Sequence, residues 1–167
     1  MQSLWALSTQ TGLATSLKNK IMNKAFNFEN LNISIPKRKS NSHKGLNGRV
    51  LVIAGSRGLG GAGIMASEAS LYSGAGLVTL HTHKSNVEAS LIRNPEVIAL
   101  GISKFFPISE NFSVILYGPG MQNDEWSNKM PEHLKNIPQE SSLIIDAGGL
   151  QHVKDHNLTI SNNTILT

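Results

Sequence analysis

The chain has 167 residues, of which 40% are hydrophobic and 16% are charged, enough for one domain with a substantial core. Its formal net charge is +4 and its sequence pI is near 9.5. The absence of cysteine excludes disulfides, thiolate nucleophiles and cysteine metal sites. Because no apolar run reaches the ~20 residues of a membrane span and no secretory leader is present, we expect a cytoplasmic protein without membrane contact.

The first 40 residues show no sustained period and end in the basic stretch PKRKSNSHK. Such a run is typical of a solvated linker. A nucleic-acid site would normally interleave aromatic residues with the cations, and this stretch has none. We therefore expect a linker here and no nucleic-acid partner.

From Arg49 onward the pattern becomes regular. RVLVIAG predicts a strand buried on both faces, and residues 62–72 carry apolar side chains at helical spacing. GLVTLHT predicts a second strand, followed by a short helix over 85–92 that Ser85 would cap. A third helix is predicted through Lys135, with Asn123 or Asp124 as its cap. The other predicted strands lie in EVIAL (96–100), in SVILYGPG (113–120), where Gly118, Pro119 and Gly120 end the strand, and in SSLIIDAGG (141–149), where Asp146 lies at the C-terminal end of the strand. TILT (164–167) is the beginning of a sixth.

Strands that alternate with helices predict a mostly parallel sheet covered on both faces. In such sheets, ligands bind beyond the carboxyl ends of the strands. Three glycine-rich segments follow predicted strands, namely AGSRGLGGAG, YGPG and DAGG. We therefore expect these segments to meet at one rim and to form a ligand site.

The first of these segments resembles two phosphate-binding patterns but completes neither. Gly58, Gly60 and Gly63 fit G-x-G-x-x-G, yet the second strand ends in LHTH without the carboxylate that holds an NAD ribose. Gly61 and Ala62 stand where a Walker loop needs Lys and Ser or Thr. Two interpretations stay open: a turn that permits tight packing, and a helix N-terminus whose amides contact an anion or polar cofactor.

The other strand ends leave similar choices. The Gly-Pro-Gly at 118–120 is either a simple turn or bare backbone that a planar ligand can approach. Asp146 either binds a ligand or caps the next helix, and the agreement of three strand ends favours the first. His81 and His83 would face one side at the end of the second strand. A surface pair is favoured over a metal site, because no third ligand lies nearby in sequence.

Six motifs occur in the order seen in ADP/ATP-dependent NAD(P)H-hydrate dehydratases: SHKG (42–45), VLVIAGSRGLGGAG (50–63), SGAGLV (73–78), NPEV (94–97), YGPGMQNDEW (117–126) and IIDAGGL (144–150). The chain resembles this family over residues 34–167. The resemblance implies a three-layer α/β/α ribokinase-like fold with a mostly parallel sheet, here incomplete at the C-terminal side. It also implies a lyase that removes water from the S epimer of hydrated NADH or NADPH, with ADP or ATP as co-substrate and Mg²⁺ as a further candidate.

The resemblance also divides the chain. Residues 1–33 match the end of an NAD(P)H-hydrate epimerase domain, residues 34–48 form the basic linker and domain entry, and residues 49–167 form the N-terminal part of the dehydratase domain. An epimerase domain or protein is thus the expected partner, and a homo-oligomer would be in keeping with the family. The substrate is expected against Gly61, Ala62, Gly118, Gly120 and Asp146.

The chain departs from the family at two motifs. Met121 and Gln122 replace the Leu-Gly that usually follows Gly-Pro-Gly, which puts bulky side chains where backbone is bare. Gly148 replaces the second carboxylate of Asp-Ala-Asp-Ala-Leu-Asn, and Gln151 replaces its Asn.

The family also continues, beyond the position of Thr167, into Pro-His-Pro-Gly-Glu and Gly-Ser-Gly-Asp segments. The last of these segments holds the expected proton-transfer group, so we assign no catalytic base within these residues. We expect the chain alone to be inactive and poorly stable. Two alternatives stay open: a fragment of a ribokinase-like small-molecule kinase, and a non-catalytic nucleotide-binding or interaction protein.

Overall fold

The computed structural model describes residues 34, 37, 40–103, 108, 111–138, 140–158, 160 and 163–167. The chain divides into two units, Met1–Lys39 and Ser40–Thr167, and the fold given below is that of the second unit. The expected epimerase-like segment, residues 1–33, lies outside the described residues.

The second unit is built on a sheet of six parallel strands in the order β3-β2-β1-β4-β5-β6. At its centre, the Leu51, Val52 and Ile53 side chains of β1 are fully buried, as expected for a β-branched run covered on both faces. All six predicted strands are confirmed, with small shifts at their ends. They are β1 (Arg49–Ile53), β2 (Leu77–Thr82), β3 (Ile98–Gly101), β4 (Val114–Tyr117), β5 (Ser142–Ile145) and β6 (Thr164–Leu166).

Helices cover both faces of the sheet. On one face, α1 (Gly60–Tyr72) packs on β1 and β2, and α2 (Val87–Arg93) packs on β3, around a core of Val52, Ala54, Val78, Leu80 and Val97. On the other face lie a 3₁₀-helix (Ser127–Asn136) and α3 (Gly148–Asp155), over a second core that includes Ile115, Met130 and Ile145. The predicted three-layer α/β/α architecture is therefore confirmed.

The helices that follow β1 and β2 start differently from their predictions. α1 begins at Gly60, earlier than the predicted 62. Ser85 does not cap the next helix; instead the ring of His83 accepts a hydrogen bond from the Ser85 amide at 3.2 Å and begins a 3₁₀ turn over Lys84–Asn86. The prediction for Ser85 failed because the side chain that precedes it supplies the acceptor.

The helix predicted over 123–135 is a 3₁₀-helix with a later start. Its N-cap is Trp126, so neither Asn123 nor Asp124 begins the helix, although Asp124 Oδ1 accepts a hydrogen bond from the Ser127 amide at 2.7 Å. Pro131 lies inside the helix and removes one backbone donor, which disfavours the regular α-helical bond pattern. This proline is a signal in the sequence that helical spacing alone overlooks.

The strand order determines where a ligand can bind. From β1 the chain proceeds through β2 to β3 at one edge, and then resumes at β4 and proceeds to β6 at the other. The order therefore reverses between β1 and β4, and a crevice opens between their carboxyl ends. Within the described residues, no helix is long and apolar enough to cross a membrane.

Candidate functional site

The two glycine-rich turns at the reversal point are joined by backbone hydrogen bonds. The Gly55 amide donates to the Pro119 carbonyl at 2.9 Å, and the Ser56 amide donates to the Gly120 carbonyl at 2.9 Å. The turn after β1 and the turn after β4 thereby form one continuous surface, which we call the rim wall. This arrangement confirms that these two glycine-rich ends meet at one rim.

Ala62 and Gly120 face each other across the rim wall. Gly120 has φ +65°, and a Cβ placed on it would lie 3.1 Å from the Ala62 Cβ and 2.6 Å from the Leu59 carbonyl oxygen. Gly61 is exposed, and nothing lies within 4 Å of a Cβ placed there. The first turn of α1 has no side-chain cap and no acidic residue, so its free amides give the wall a positive character.

Gly118 and Asp146 meet where β4 and β5 end. Gly118 has φ +118°, and a Cβ on it would overlap the Asp146 carbonyl oxygen and lie 2.7 Å from the Gly149 nitrogen. The N-cap of α3 is Ala147, with no side-chain cap hydrogen bond, so the alternative in which Asp146 caps this helix is wrong. The structure thus brings the third glycine-rich end to the same rim.

The two replacements after Gly-Pro-Gly have different consequences. The Met121 side chain is only 6% exposed and packs in the core, so the expectation that it intrudes on bare backbone is wrong. Gln122 is exposed at the rim. A Cβ on Gly148 would collide with the Met121 carbonyl group, so the position of the family's second carboxylate has no room for a side chain here.

A cleft of about 470 Å³ adjoins the rim wall, and we call it the rim cleft. Its lining comes from the segments that follow β1, β2, β3 and β4, and it includes Arg57, His83, Lys84, Gln122, Trp126 and Lys129. The Trp126 indole donates to the Ile102 carbonyl at 2.7 Å, and the His83 ring meets it edge-on with centroids 6.2 Å apart. Sequence analysis missed this cleft, because its residues are far apart along the chain.

The two carboxylates of the rim cleft already have partners. Burial opposes ionisation of Asp124, but hydrogen bonds from the Ser127 amide, Ser56 and Gln122 outweigh it and lower the pKa of this carboxyl. Glu125 forms an ion pair with Lys129 at 2.8 Å. These partners fix the 122–129 segment against the turn after β1.

The histidines do not form the expected surface pair. His81 is only 6% exposed, and its ring lies edge-on to that of His133 with centroids 6.4 Å apart. Its Nδ1 has no hydrogen-bond partner within the part of the chain described. Burial, helped by His133, lowers the pKa of His81 to about 4.

A buried polar network connects the core to the rim cleft. The Tyr117 hydroxyl lies 2.6 Å from His152 Nδ1, and the Ser127 hydroxyl lies 3.2 Å from His152 Nε2. Burial lowers the pKa of His152, so the ring is neutral near pH 7 and one of its nitrogens donates while the other accepts. Through Ser127, whose amide binds Asp124, the network supports one wall of the cleft.

We expect Tyr117→Phe to lower the free energy of unfolding by about 1–2 kcal/mol, because it leaves a buried His152 nitrogen without its partner. The measurement is urea denaturation at pH 7. Tyr72→Phe removes the same hydroxyl from a side chain that is 81% exposed, and we expect a change within about 0.5 kcal/mol. Equal losses in the two variants would contradict the network.

Comparisons of the sequence with known proteins agree on one family. A family model described as NAD(P)H-hydrate dehydratase matches residues 50–167. The chain is 39% identical, over 128 residues, to the ADP-dependent (S)-NAD(P)H-hydrate dehydratase of Staphylococcus aureus. The aligned region covers 74% of this chain and 46% of that protein. The chain is 33% identical, over 141 residues, to the bifunctional NAD(P)H-hydrate repair enzyme of Escherichia coli K12, covering 81% and 27%.

Solved structures agree in fold. A ribokinase-like superfamily protein from Enterococcus faecalis superposes with a TM-score of 0.70 at 30% identity, over 79% of this chain and 49% of that one. The ADP/ATP-dependent NAD(P)H-hydrate dehydratase of Bacillus subtilis, co-crystallized with ATP/Mg²⁺, gives 0.61 at 26% identity, over 77% and 48%. The chain thus spans about half the length of the Staphylococcus aureus relative and of these solved proteins. It belongs to the NAD(P)H-hydrate dehydratase family and has the ribokinase-like fold.

Proposed function

We propose that this chain carries the substrate-binding part of an ADP- or ATP-dependent lyase that removes water from the S epimer of hydrated NADH or NADPH. In this proposal the nicotinamide dinucleotide is the substrate, so an acidic residue at the end of β2 is not required. The role assigned to the residues described is to bind and orient the hydrated ring. Proton transfer is assigned to the family's later Gly-Ser-Gly-Asp segment.

The observation that carries the proposal is the close approach of Ala62 and Gly120 at the reversal point. A Cβ on Gly120 would lie 3.1 Å from that of Ala62, so the two turns touch and only small residues fit there. Ala62 is exposed and Gly120 is half-buried, so this surface is open to a ligand. A flat ring can therefore lie against this surface, with Gly61 beside it. Gly118 and Asp146 extend the same rim toward β5, and we assign them to the substrate side as well.

The co-substrate is proposed by analogy with the relatives named for ADP or ATP. Among the residues described, no three His, Asp or Glu side chains lie together as ligands for a metal. We expect any Mg²⁺ to arrive with the phosphates of the nucleotide.

The partner and compartment are also part of the proposal. Since a relative combines repair activities in one bifunctional enzyme, we propose that residues 1–33 belong to the end of an epimerase domain, residues 34–48 to the linker, and residues 49–167 to the dehydratase domain. We propose a cytoplasmic location, in keeping with a chain that has no cysteine. A homo-oligomer is proposed on family resemblance only.

Calorimetric titration of the purified chain tests the proposal. Its ligands are the S and R epimers of hydrated NADPH, intact NADPH, and ribose as a kinase-type substrate. We expect the S epimer to bind at least about tenfold more tightly than intact NADPH, because a site that binds a substrate hydroxyl discriminates against the analogue that lacks it. Binding of ribose in preference to the dinucleotides would favour the kinase alternative and overturn the proposal.

A further inference from the structure

Two cations of the rim cleft have no countercharge in the described part of the chain. Arg57 follows β1 and Lys84 follows β2, and both side chains are exposed at the cleft. Three other cations among the described residues are paired: Arg93 with Glu68 at 2.9 Å, Lys129 with Glu125 at 2.8 Å, and Lys135 with Glu132. Among the described residues, neither Arg57 nor Lys84 has an ion pair or a side-chain hydrogen bond.

The acidic residues that line the cleft cannot neutralise these cations without losing their present partners. The Asp124 carboxylate accepts the Ser127 amide at 2.7 Å, and Glu125 is held by Lys129. The uncommitted charge in the cleft is therefore positive. Its volume of about 470 Å³ lies within the range of small-molecule sites, roughly 300–1,000 Å³.

The position of the cleft links it to the rim wall. Arg57 follows Ser56 directly, and the Ser56 amide bonds the Gly120 carbonyl, so a single turn carries both the cation and the wall. Gln122 also lines the cleft, and its backbone N–H donates a hydrogen bond to the Ser56 hydroxyl at 3.2 Å. A dinucleotide whose ring lies against Ala62 and Gly120 can thus place its anionic groups in the adjoining cleft.

We propose that Arg57 and Lys84 bind a phosphate group of the dinucleotide in the rim cleft, an assignment that rests on the proposed function. A guanidinium can hold two phosphate oxygens at once, while a lysine ammonium acts as a mobile point charge. The bridging pyrophosphate and the 2′-phosphate of the NADPH form share this chemistry. The two sources are separable by experiment.

The test uses Arg57→Gln/Lys84→Gln, with Lys135→Gln as the control, since Lys135 is an exposed cation paired with Glu132 outside the cleft. Binding of NADH, NADPH and inorganic pyrophosphate is measured by calorimetry at low and moderate salt. We expect the double variant to weaken NADPH binding roughly tenfold or more and to lose most of its salt dependence. The control should stay within about twofold of the wild type.

The probes separate the outcomes. An equal loss for NADH and NADPH assigns the cations to the pyrophosphate, whereas a larger loss for NADPH assigns them to the 2′-phosphate; both support the site. Unchanged NADPH binding in the double variant overturns it, even if the wild type prefers the S hydrate and the proposed function stands. If the wild type binds no dinucleotide, the proposed function fails. Pyrophosphate binding that the double variant loses would then still support the anion site, and no pyrophosphate binding would overturn it.

Discussion

Gly118→Ala should lower the free energy of unfolding by at least about 3 kcal/mol, one of the largest effects we expect for any single methyl group in the domain. Gly118 has φ +118°, a conformation that residues with a Cβ rarely adopt. Its Cβ would also overlap the Asp146 carbonyl oxygen and lie 2.7 Å from the Gly149 nitrogen, and both are backbone atoms that cannot rotate away. The cost arises from strain and overlap together.

Gly58→Ala separates these two causes. Gly58 has φ +80°, but nothing lies within 4 Å of a Cβ placed there. Strain alone should therefore cost about 1 kcal/mol. Urea denaturation of both variants at pH 7 measures the difference. A loss at Gly118 no greater than that at Gly58 would show that β4 and β5 do not meet as described.

The second large effect that we expect is a loss of stability at acidic pH. His81 is buried, and its folded pKa of about 4 lies below the value of about 6.5 expected in the unfolded chain. Between these values the unfolded state binds more protons, so stability falls as the pH falls. Proton uptake by the unfolded chain therefore lowers the free energy of unfolding by about 3 kcal/mol as the pH decreases from about 6.5 to 4, and no such loss occurs above about pH 6.5. His133 and His152, whose pKa values burial also lowers, act in the same direction.

His81→Leu should reduce the slope of stability against pH between 4 and 6.5. It should have little effect at pH 7, because the ring nitrogen Nδ1 has no hydrogen-bond partner among the described residues. His83→Gln alters a half-buried ring just beyond the end of β2 and serves as the control that should retain the wild-type slope. Thermal unfolding across this pH range gives the measurement. An unchanged slope in His81→Leu would contradict the burial of an uncharged ring.

The sheet was predictable from sequence because its signals are local. Each strand is a short apolar run rich in Val, Ile and Leu, and each of the three turns at the rim is marked by glycines in the sequence. The strand order was not predictable, since nothing in β1 itself specifies β4 as its neighbour. That pairing brings Ala62 within contact of Gly120, across 58 residues of chain. The resemblance to the family indicated Ala62 and Gly120 as substrate-binding positions, but it did not indicate that they lie in contact.

The predictions that were wrong concern side chains whose burial depends on tertiary packing. His81 was expected at the surface because it lies near a strand end, yet a strand covered on both faces buries its polar members as well. Met121 was expected to intrude on the site, although its side chain turns into the core. The rim cleft was missed entirely. Arg57 and Lys84 come together only because β1 and β2 are adjacent in the sheet.

We propose that the hydrated nicotinamide ring lies against the surface formed by Ala62 and Gly120, and Ala62→Leu is designed to block that surface. Ala69→Leu makes the same change at an exposed position further along α1 and serves as the control. Affinity for the S epimer of hydrated NADPH is measured by calorimetry, after unfolding curves show that both variants fold. We predict that Ala62→Leu weakens binding at least about tenfold, because leucine fills the space before Gly120, and that Ala69→Leu stays within about twofold. Wild-type affinity in Ala62→Leu would show that the ring does not bind at this surface.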